Sequence, residues 1–149
     1  MPVNPELVGR AFPPTPPYLV GREKVREFAR AVFAEDPQHF DPVAAQALGY
    51  PDVVAPPTFA MVVQDVTLQQ LLAEPDSGIV LSRILHGEQR FRYSRPIVAG
   101  DELTGSLRIT SIRAVGGNAM VTCEAEITDV RGEHVVTTTS LLVVGGDAA

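Results

Sequence analysis

The amino-acid sequence predicts one α+β domain in which a long antiparallel sheet is wrapped around a single buried helix. Two observations lead to this prediction: one segment of the first half is apolar on nearly all sides, and the second half consists of strand-like segments joined by short turns. The 149 residues suffice for one hydrophobic core, and 45% of them are hydrophobic, as in an ordinary globular domain. We therefore expect residues 1–149 to form a single domain.

The chain before the buried helix is divided by prolines. Six prolines between Pro2 and Pro17 predict an extended, non-helical lead-in over residues 1–17, and Tyr18–Val20 is predicted as a short strand. Over Arg22–Phe33, apolar side chains recur every three or four positions, which predicts an amphipathic helix. A turn-rich connection over Glu35–Pro57 follows, with one predicted helical turn at Val43–Leu48.

The segment Thr58–Ala73 is predicted to be the central helix. The pair Pro56-Pro57 precedes it, and proline suits the first turn of a helix because its missing N–H has no partner there. Apolar residues surround the helix axis and only a few polar ones interrupt them. A helix of this kind belongs in the middle of a domain.

The second half of the chain is predicted to be all strand. Short glycine-containing turns at residues 116–118 and 131–133 separate the later strands, and residues 145–149 are expected to be a flexible tail. We also expect the second face of the sheet to need covering by helices, by lipid or by a second copy of the chain, which would favour a dimer. The predicted strands are Ile84–Tyr93, Glu102–Val115, Met120–Val130 and Val135–Val144.

Composition argues against several classes of function. The net charge of −6 and the absence of a basic run argue against nucleic-acid binding. No apolar stretch is long enough to span a bilayer, and Met1–Phe12 has no apolar signal core, so we expect a cytoplasmic protein. The single Cys123 excludes an internal disulfide framework. We expect no metal, because the three histidines are scattered, and no cofactor, because no glycine-rich phosphate loop is present.

Three segments carry a resemblance to a known family. Pro56–Phe59, His86–Gln89 and Arg95–Asp101, in this order, resemble the MaoC-type hot-dog proteins. Over Tyr18–Val144 the chain is most similar to the N-terminal dehydratase-like domains and small subunits of (3R)-hydroxyacyl dehydratases. The resemblance implies a single hot-dog fold, a dimer, and a role in fatty-acid metabolism. The family adds or removes water across an acyl thioester of coenzyme A or acyl carrier protein.

The resemblance also places the family's catalytic residues on this sequence, and two of them are changed. Catalytic members carry Asp-x-Asn-Pro-x-His, and aligning the proline with Pro37 puts His39 on the catalytic histidine and Asp36 on the asparagine. Ala34 then occupies the position of the aspartate, and only Asp36 or Glu35 could replace that acid. Where the family has the His-Gly whose glycine N–H holds the enolate oxygen, this chain has Pro56-Pro57, and proline has no N–H.

The resemblance assigns the remaining candidate residues to substrate binding. The predicted acyl channel is lined by Pro57, Thr58, Phe59, Val62, Val63 and Val66. Arg92 and Arg95, with Arg90 nearby, are candidates for binding the phosphates of coenzyme A or of a carrier protein, since guanidinium groups match phosphate geometry. The alternative is that these arginines are paired surface charges. Asp101 is predicted to be an acceptor in a turn.

Four functions remain open at this point. The favoured hypothesis is a dehydratase or hydratase subunit that shapes the acyl channel while a partner hot-dog chain supplies the aspartate, the histidine and the oxyanion donor. A homodimeric hydratase would use His39 with Asp36 or Glu35. A hot-dog thioesterase would need a carboxylate on the central helix, and Asp65 is the candidate. The fourth possibility is a non-enzymatic binder of acyl thioesters.

Overall fold

The computed structural model describes residues 2–146, in which one five-stranded sheet encloses the longest helix. Short 3-10 helices lie at Pro5–Leu7, Pro37–His39, Pro57–Phe59 and Leu81–Arg83. In chain order, the other elements are β1 (Tyr18–Leu19), α1 (Arg22–Ala31), α2 (Pro42–Ala47), α3 (Ala60–Ala73), β2 (Ile84–Tyr93), β3 (Glu102–Val115), β4 (Asn118–Thr128) and β5 (His134–Val144).

The sheet is antiparallel, with strand order β1-β3-β4-β5-β2, and packs against α3 mainly through β3, β4 and β5. Gly105 on β3 allows the close approach of the helix, because a Cβ atom there would lie 2.8 Å from Thr67 Cγ2. The predicted buried helix and antiparallel sheet are therefore confirmed. The buried residues of α3 are Ala60, Val63, Gln64, Thr67 and Leu71.

Helix α1 ends two residues before the predicted end. Phe33 adopts a left-handed conformation, with φ of 58°, and its side chain is exposed. The N–H of Ala34 then donates to the carbonyl of Ala29 at 2.9 Å, and the N–H of Phe33 donates to Arg30 at 3.2 Å. This pair of bonds is the Schellman arrangement that closes helices, usually with glycine at the left-handed position. In the described part of the chain, no helix is long and apolar enough to cross a bilayer.

The proline-rich lead-in is more structured than the sequence predicts. Pro5–Leu7 forms a 3-10 helix, which the sequence analysis excludes; proline fits its first position, and the Asn4 side chain accepts a bond from the N–H of Glu6. Leu7 is fully buried and belongs to the same hydrophobic cluster as Leu71 of α3. The predicted flexible tail is described only at residues 145 and 146, and residues 147–149 lie outside the described residues.

The outer face of the sheet is too polar to need the cover of helices, lipid or a second copy that we expect from the sequence. It carries charged and hydroxyl side chains, among them the pair Arg108 and Glu124 across β3 and β4 and the pair Arg90 and Glu88 on β2. Polar groups of this kind are stable in contact with water. The expectation that this face must be covered is therefore wrong, and the face gives no support for a dimer.

Candidate functional site

A cleft of about 560 Å³ lies where three segments meet. Its walls come from the 3-10 helix Pro37–His39, from the chain just before the central helix, and from the turn that follows β2. The structure therefore brings together four residues that the sequence analysis assigns to the site, namely Asp36, His39, Pro57 and Arg95.

His39 is fixed in the wall of the cleft and is 8% exposed. Its Nδ1 atom lies 2.6 Å from the carbonyl oxygen of Val54, which can only accept, so Nδ1 carries the proton. In the neutral ring, Nε2 is then the proton acceptor. The N–H of Val54 also donates to the carbonyl of Gln38 at 2.9 Å, so the histidine and this segment are held together. The ring is positioned to act as a base through Nε2.

The catalytic carboxylic acid that would act together with His39 is absent from position 34, where the resemblance places it. Ala34 is half-buried and has no polar side chain, and Glu35 lies with it in a separate depression beside Phe40. Asp36 is exposed and lines the same cleft as His39. Among residues 2–146, no carboxylate lies within 4.0 Å of the His39 ring nitrogens.

The start of the central helix differs from an oxyanion site. Pro57 is the first residue of the 3-10 helix that leads into α3, and it contributes a carbonyl but no N–H. The Tyr93 hydroxyl donates a hydrogen bond to this carbonyl. Burial raises the pKa of Tyr93 to about 12, so the phenol keeps its proton at neutral pH. The cleft therefore ends at a carbonyl and a phenol, which stabilise the turn, and Thr58 next to them is exposed.

The predicted acyl channel is not open along its whole length within one chain. Phe59 and Val63 are fully buried in the core, and the Phe59 ring packs edge-on against Phe28 at 5.3 Å. Val62 and Val66 are half-buried on the side of α3 that the sheet does not cover. Of the six predicted channel residues, Val62 and Val66 are thus partly accessible, and Pro57 and Thr58 are exposed at the start of the helix.

Arg95 has a structural role that differs from the predicted phosphate binding. Its guanidinium donates to both carboxylate oxygens of Asp101, at 2.8 and 3.0 Å, and to Asp129 at 3.3 Å. The hydrogen bond to Asp101 raises the pKa of Arg95. Asp101 also accepts the N–H of Val98 at 2.9 Å, which confirms it as a turn acceptor. The guanidinium nitrogens of Arg95 that could bind a phosphate are therefore already bonded to the carboxylates of Asp101 and Asp129.

The other predicted side chains lie away from the cleft. Arg92 is exposed on β2, with one guanidinium nitrogen 3.5 Å from the Thr137 hydroxyl, and Arg90 pairs with Glu88. Asp65 is exposed on α3 and does not line the cleft, so the structure does not support it as a thioesterase carboxylate. In the described chain, no three side chains are grouped so that they could hold a metal ion.

Sequence reasoning missed a polar cluster at the edge of the cleft. Ser94 contacts the imidazole of His134, and this ring is linked through Thr137 to Glu126. These residues are up to 43 positions apart, and only the pairing of β5 with β2 and β4 brings them together. No spacing motif could have identified them, because their contact depends on strand register.

The comparisons with known proteins agree with this architecture. A sequence model of the family described as "FAS1-like, dehydratase domain region" matches residues 6–138. The UPF0336 protein of Clavibacter michiganensis subsp. michiganensis is 63% identical over 149 residues, which cover all of both chains.

Two solved structures are also similar. One is a MaoC-like dehydratase, 41% identical with a TM-score of 0.83; the alignment covers 94% of this chain and 42% of that one. The other is the HadBC (3R)-hydroxyacyl-ACP dehydratase complex of Mycobacterium tuberculosis, 35% identical with a TM-score of 0.78, covering 89% of this chain and 92% of that one. These similarities confirm the hot-dog fold. The chain therefore belongs to the FAS1-like dehydratase-region family and is a relative of the UPF0336 proteins, with a MaoC-like hot-dog fold.

Proposed function

We propose that this chain is a subunit of a (3R)-hydroxyacyl-thioester dehydratase or enoyl hydratase, and that a second hot-dog chain supplies the chemistry. The observation that carries the proposal is the state of the cleft. The cleft holds His39 with no carboxylate bonded to its ring, and Pro57, which has no N–H, lines the same cleft. Ala34, which the alignment places at the position of the acid, lies outside the cleft and has no polar side chain. The substrate would be an acyl thioester of acyl carrier protein or coenzyme A in cytoplasmic fatty-acid metabolism.

The chemistry explains why these two changes matter. Dehydration requires a base for the proton α to the thioester, an acid for the leaving hydroxyl, and a donor for the enolate oxygen. A positioned acid or base contributes about 10²–10⁴-fold in rate, and one oxyanion donor contributes about 10²–10³-fold. A chain that lacks two of the three groups is expected to be close to inactive by itself.

The contribution of this chain would be binding energy. Val62 and Val66 are half-buried on the face of α3 that the sheet leaves open, so they are available to an acyl chain or a partner. Each methylene that is buried adds about 0.8 kcal/mol of favourable free energy. The similarity to a chain of the HadBC complex, over most of both proteins, supports an assembly with a second hot-dog chain.

The direct test is a hydration assay on crotonyl-CoA and on longer trans-2-enoyl-CoA substrates. The reaction is measured as the loss of enoyl absorbance. The purified chain is compared with a mixture that also contains a hot-dog chain with an intact Asp-x-Asn-Pro-x-His segment. We expect background rates for the chain alone and turnover of about 1–10³ per second for the complex. Turnover in this range by the isolated chain would contradict the proposal.

Substitution of His39 separates the subunit from an independent enzyme. In the complex, we expect His39→Ala to change the rate by less than about tenfold, below the usual effect of removing a general base. The corresponding histidine-to-alanine change in the partner should abolish activity. A loss of activity to background with His39→Ala would mean that this chain performs the catalysis.

A second substitution tests the channel. Val62→Phe should lower the rate with long enoyl chains and leave crotonyl-CoA nearly unaffected, because the added ring fills space beside the acyl tail. Ala73→Phe, at the exposed end of the same helix, is the matched control. Equal effects on short and long substrates would contradict a role of Val62 in the channel.

The second candidate function is a homodimeric hydratase that uses His39 with Asp36. One observation favours it, since both side chains line the same cleft and His39 Nε2 is an acceptor. If the isolated chain hydrates enoyl thioesters, Asp36→Asn should lower that activity by at least 100-fold, and Glu35→Gln should not. An unchanged rate with Asp36→Asn would exclude this function.

A further inference from the structure

A continuous chain of hydrogen bonds crosses three strands at the edge of the cleft. The Ser94 hydroxyl, just after β2, is bonded to Nδ1 of His134 at the start of β5. Nε2 of the same ring lies 2.7 Å from Thr137 Oγ1 and 3.6 Å from a carboxylate oxygen of Glu126 on β4. Thr137 Oγ1 in turn lies 2.9 Å from the other Glu126 oxygen.

The direction of these bonds follows from the chemistry of the groups. A carboxylate can only accept, so the Thr137 hydroxyl donates to Glu126 and must accept from His134 Nε2. Nε2 therefore carries the proton of the neutral ring, and Nδ1 is its acceptor. The Ser94 hydroxyl then donates to Nδ1. Each of these four side chains therefore has a hydrogen-bond partner, and the base beside the Ser94 hydroxyl is Nδ1 of His134.

Ser94 is also accessible to a ligand. It is exposed and lines the 560 Å³ cleft, so an acyl carbonyl that enters there can reach its oxygen. The next residue, Arg95, lines the same cleft, and its backbone N–H donates to no acceptor among residues 2–146. An unpaired N–H directly after a serine nucleophile is a donor that can stabilise the oxyanion of an acyl-transfer intermediate.

We propose that Ser94 is a catalytic nucleophile for acyl thioesters or esters that bind in the cleft, with His134 as its general base. Thr137 and Glu126 are positioning residues that hold the His134 ring in the required tautomer. This hydrolytic function is independent of the hydratase chemistry assigned to the complex, which leaves the thioester bond intact.

The proposed reaction balances in two steps. Ser94 Oγ attacks the thioester carbon, its proton passes to His134 Nδ1, and the C–S bond breaks as the thiolate takes that proton and leaves as a thiol. Water then attacks the acyl-serine ester and gives a proton to His134 Nδ1, and the C–O bond to Ser94 breaks as Ser94 Oγ takes that proton, which regenerates the free serine and the neutral histidine. The products are a carboxylic acid and a thiol, and no other reactant is needed.

The experiment combines covalent labelling with product detection. The whole purified chain is treated with a fluorophosphonate, which modifies activated serines with loss of fluoride, and the modified peptide is identified by mass spectrometry. Release of free thiol from butanoyl-CoA is measured with a thiol reagent in parallel. We expect labelling at Ser94, loss of both signals in Ser94→Ala, and at least a 100-fold slower reaction in His134→Gln. Ser82→Ala, at an exposed serine, is the control and should behave as the wild type.

The positioning residues have their own readout. Thr137→Val should slow labelling and alter its pH profile, and Thr137→Ser, which keeps the hydroxyl, should restore both. A merely structural role would lower the unfolding temperature without this difference in pH profile. Labelling that is undetectable at Ser94, or equal in wild type and His134→Gln, would overturn the proposal. Thiol release and hydration are separate signals, so failure here leaves the hydratase-subunit proposal unaffected.

Discussion

Replacement of Arg95 by alanine tests whether the turn after β2 is held by an ion-pair cluster. The substitution leaves Asp101 without its two guanidinium hydrogen bonds and Asp129 without one. The carboxylates are 13% and 7% exposed, respectively, so water replaces the lost partner poorly. Because this turn forms part of the cleft wall, the same change tests how the candidate site is held.

The free energy of unfolding lost in Arg95→Ala should lie between the values typical of exposed and of fully buried ion pairs. Removing one partner of a fully buried pair costs about 3–5 kcal/mol, and exposed pairs contribute about 0.2–1 kcal/mol. The Arg95 side chain is 34% exposed, so solvent screening reduces the buried figure and we expect Arg95→Ala to lower the free energy of unfolding by about 2 kcal/mol. In a chain of this length, that loss corresponds to a lower melting temperature by about 4–8 °C.

Urea and thermal unfolding, followed by circular dichroism, measure this loss. Arg90→Ala is the control, because the Arg90–Glu88 pair is exposed and should contribute less than about 1 kcal/mol. Arg95→Lys should fall between wild type and Arg95→Ala, since lysine keeps the charge but not the two-pronged geometry. If Arg95→Ala and Arg90→Ala unfold at the same urea concentration, the cluster does not hold the turn.

The effect should also depend on pH. Burial by itself would raise the pKa of Asp129, but the backbone N–H groups of Glu133 and Arg131, together with Arg95, hold it below the ordinary value of 3.8. A carboxylate with a lowered pKa stabilises the fold above its unfolded pKa, and this stabilisation is lost as the pH falls through the folded pKa. The difference between wild type and Arg95→Ala should therefore be full at neutral pH and shrink below about pH 4.

Three further predictions concern buried groups. Burial raises the pKa of Cys123 to about 12, so iodoacetamide at pH 8 should modify this thiol only as fast as the protein unfolds; rapid alkylation of the native chain would contradict its burial. Gly105→Ala should destabilise the fold by about 1–3 kcal/mol in urea unfolding, because its Cβ would meet Thr67 Cγ2 at 2.8 Å, and Thr67→Ser, which lacks that methyl group, should reduce the loss. Tyr93→Phe should lower the free energy of unfolding by about 0.5–1.5 kcal/mol through loss of the bond to the Pro57 carbonyl, and an unchanged urea midpoint would show that this bond is not stabilising.

Much of the fold could be predicted because the pattern of apolar and polar residues within each helix or strand indicates that element by itself. The apolar surroundings of the helix after Pro56-Pro57 and the bounds of Ile84–Tyr93 and Glu102–Val115 follow from side-chain periodicity within one element. The end of the first helix could not, because it depends on Phe33 taking a left-handed conformation that the residue type does not favour. The 3-10 helix at Pro5–Leu7 was also missed, since the burial of Leu7 against Leu71 depends on tertiary packing.

For the candidate site, too, the sequence determined some features and the tertiary structure determined others. The sequence by itself determined the residue types: a histidine at position 39, no acid at Ala34, and no N–H at Pro57. These are covalent facts that folding cannot change. Only the tertiary structure decided that Arg95 is occupied by two carboxylates and that Ser94 lies beside His134. Such contacts depend on how turns and strands from distant parts of the chain pack together, and side-chain geometry across that packing is not encoded in any single segment.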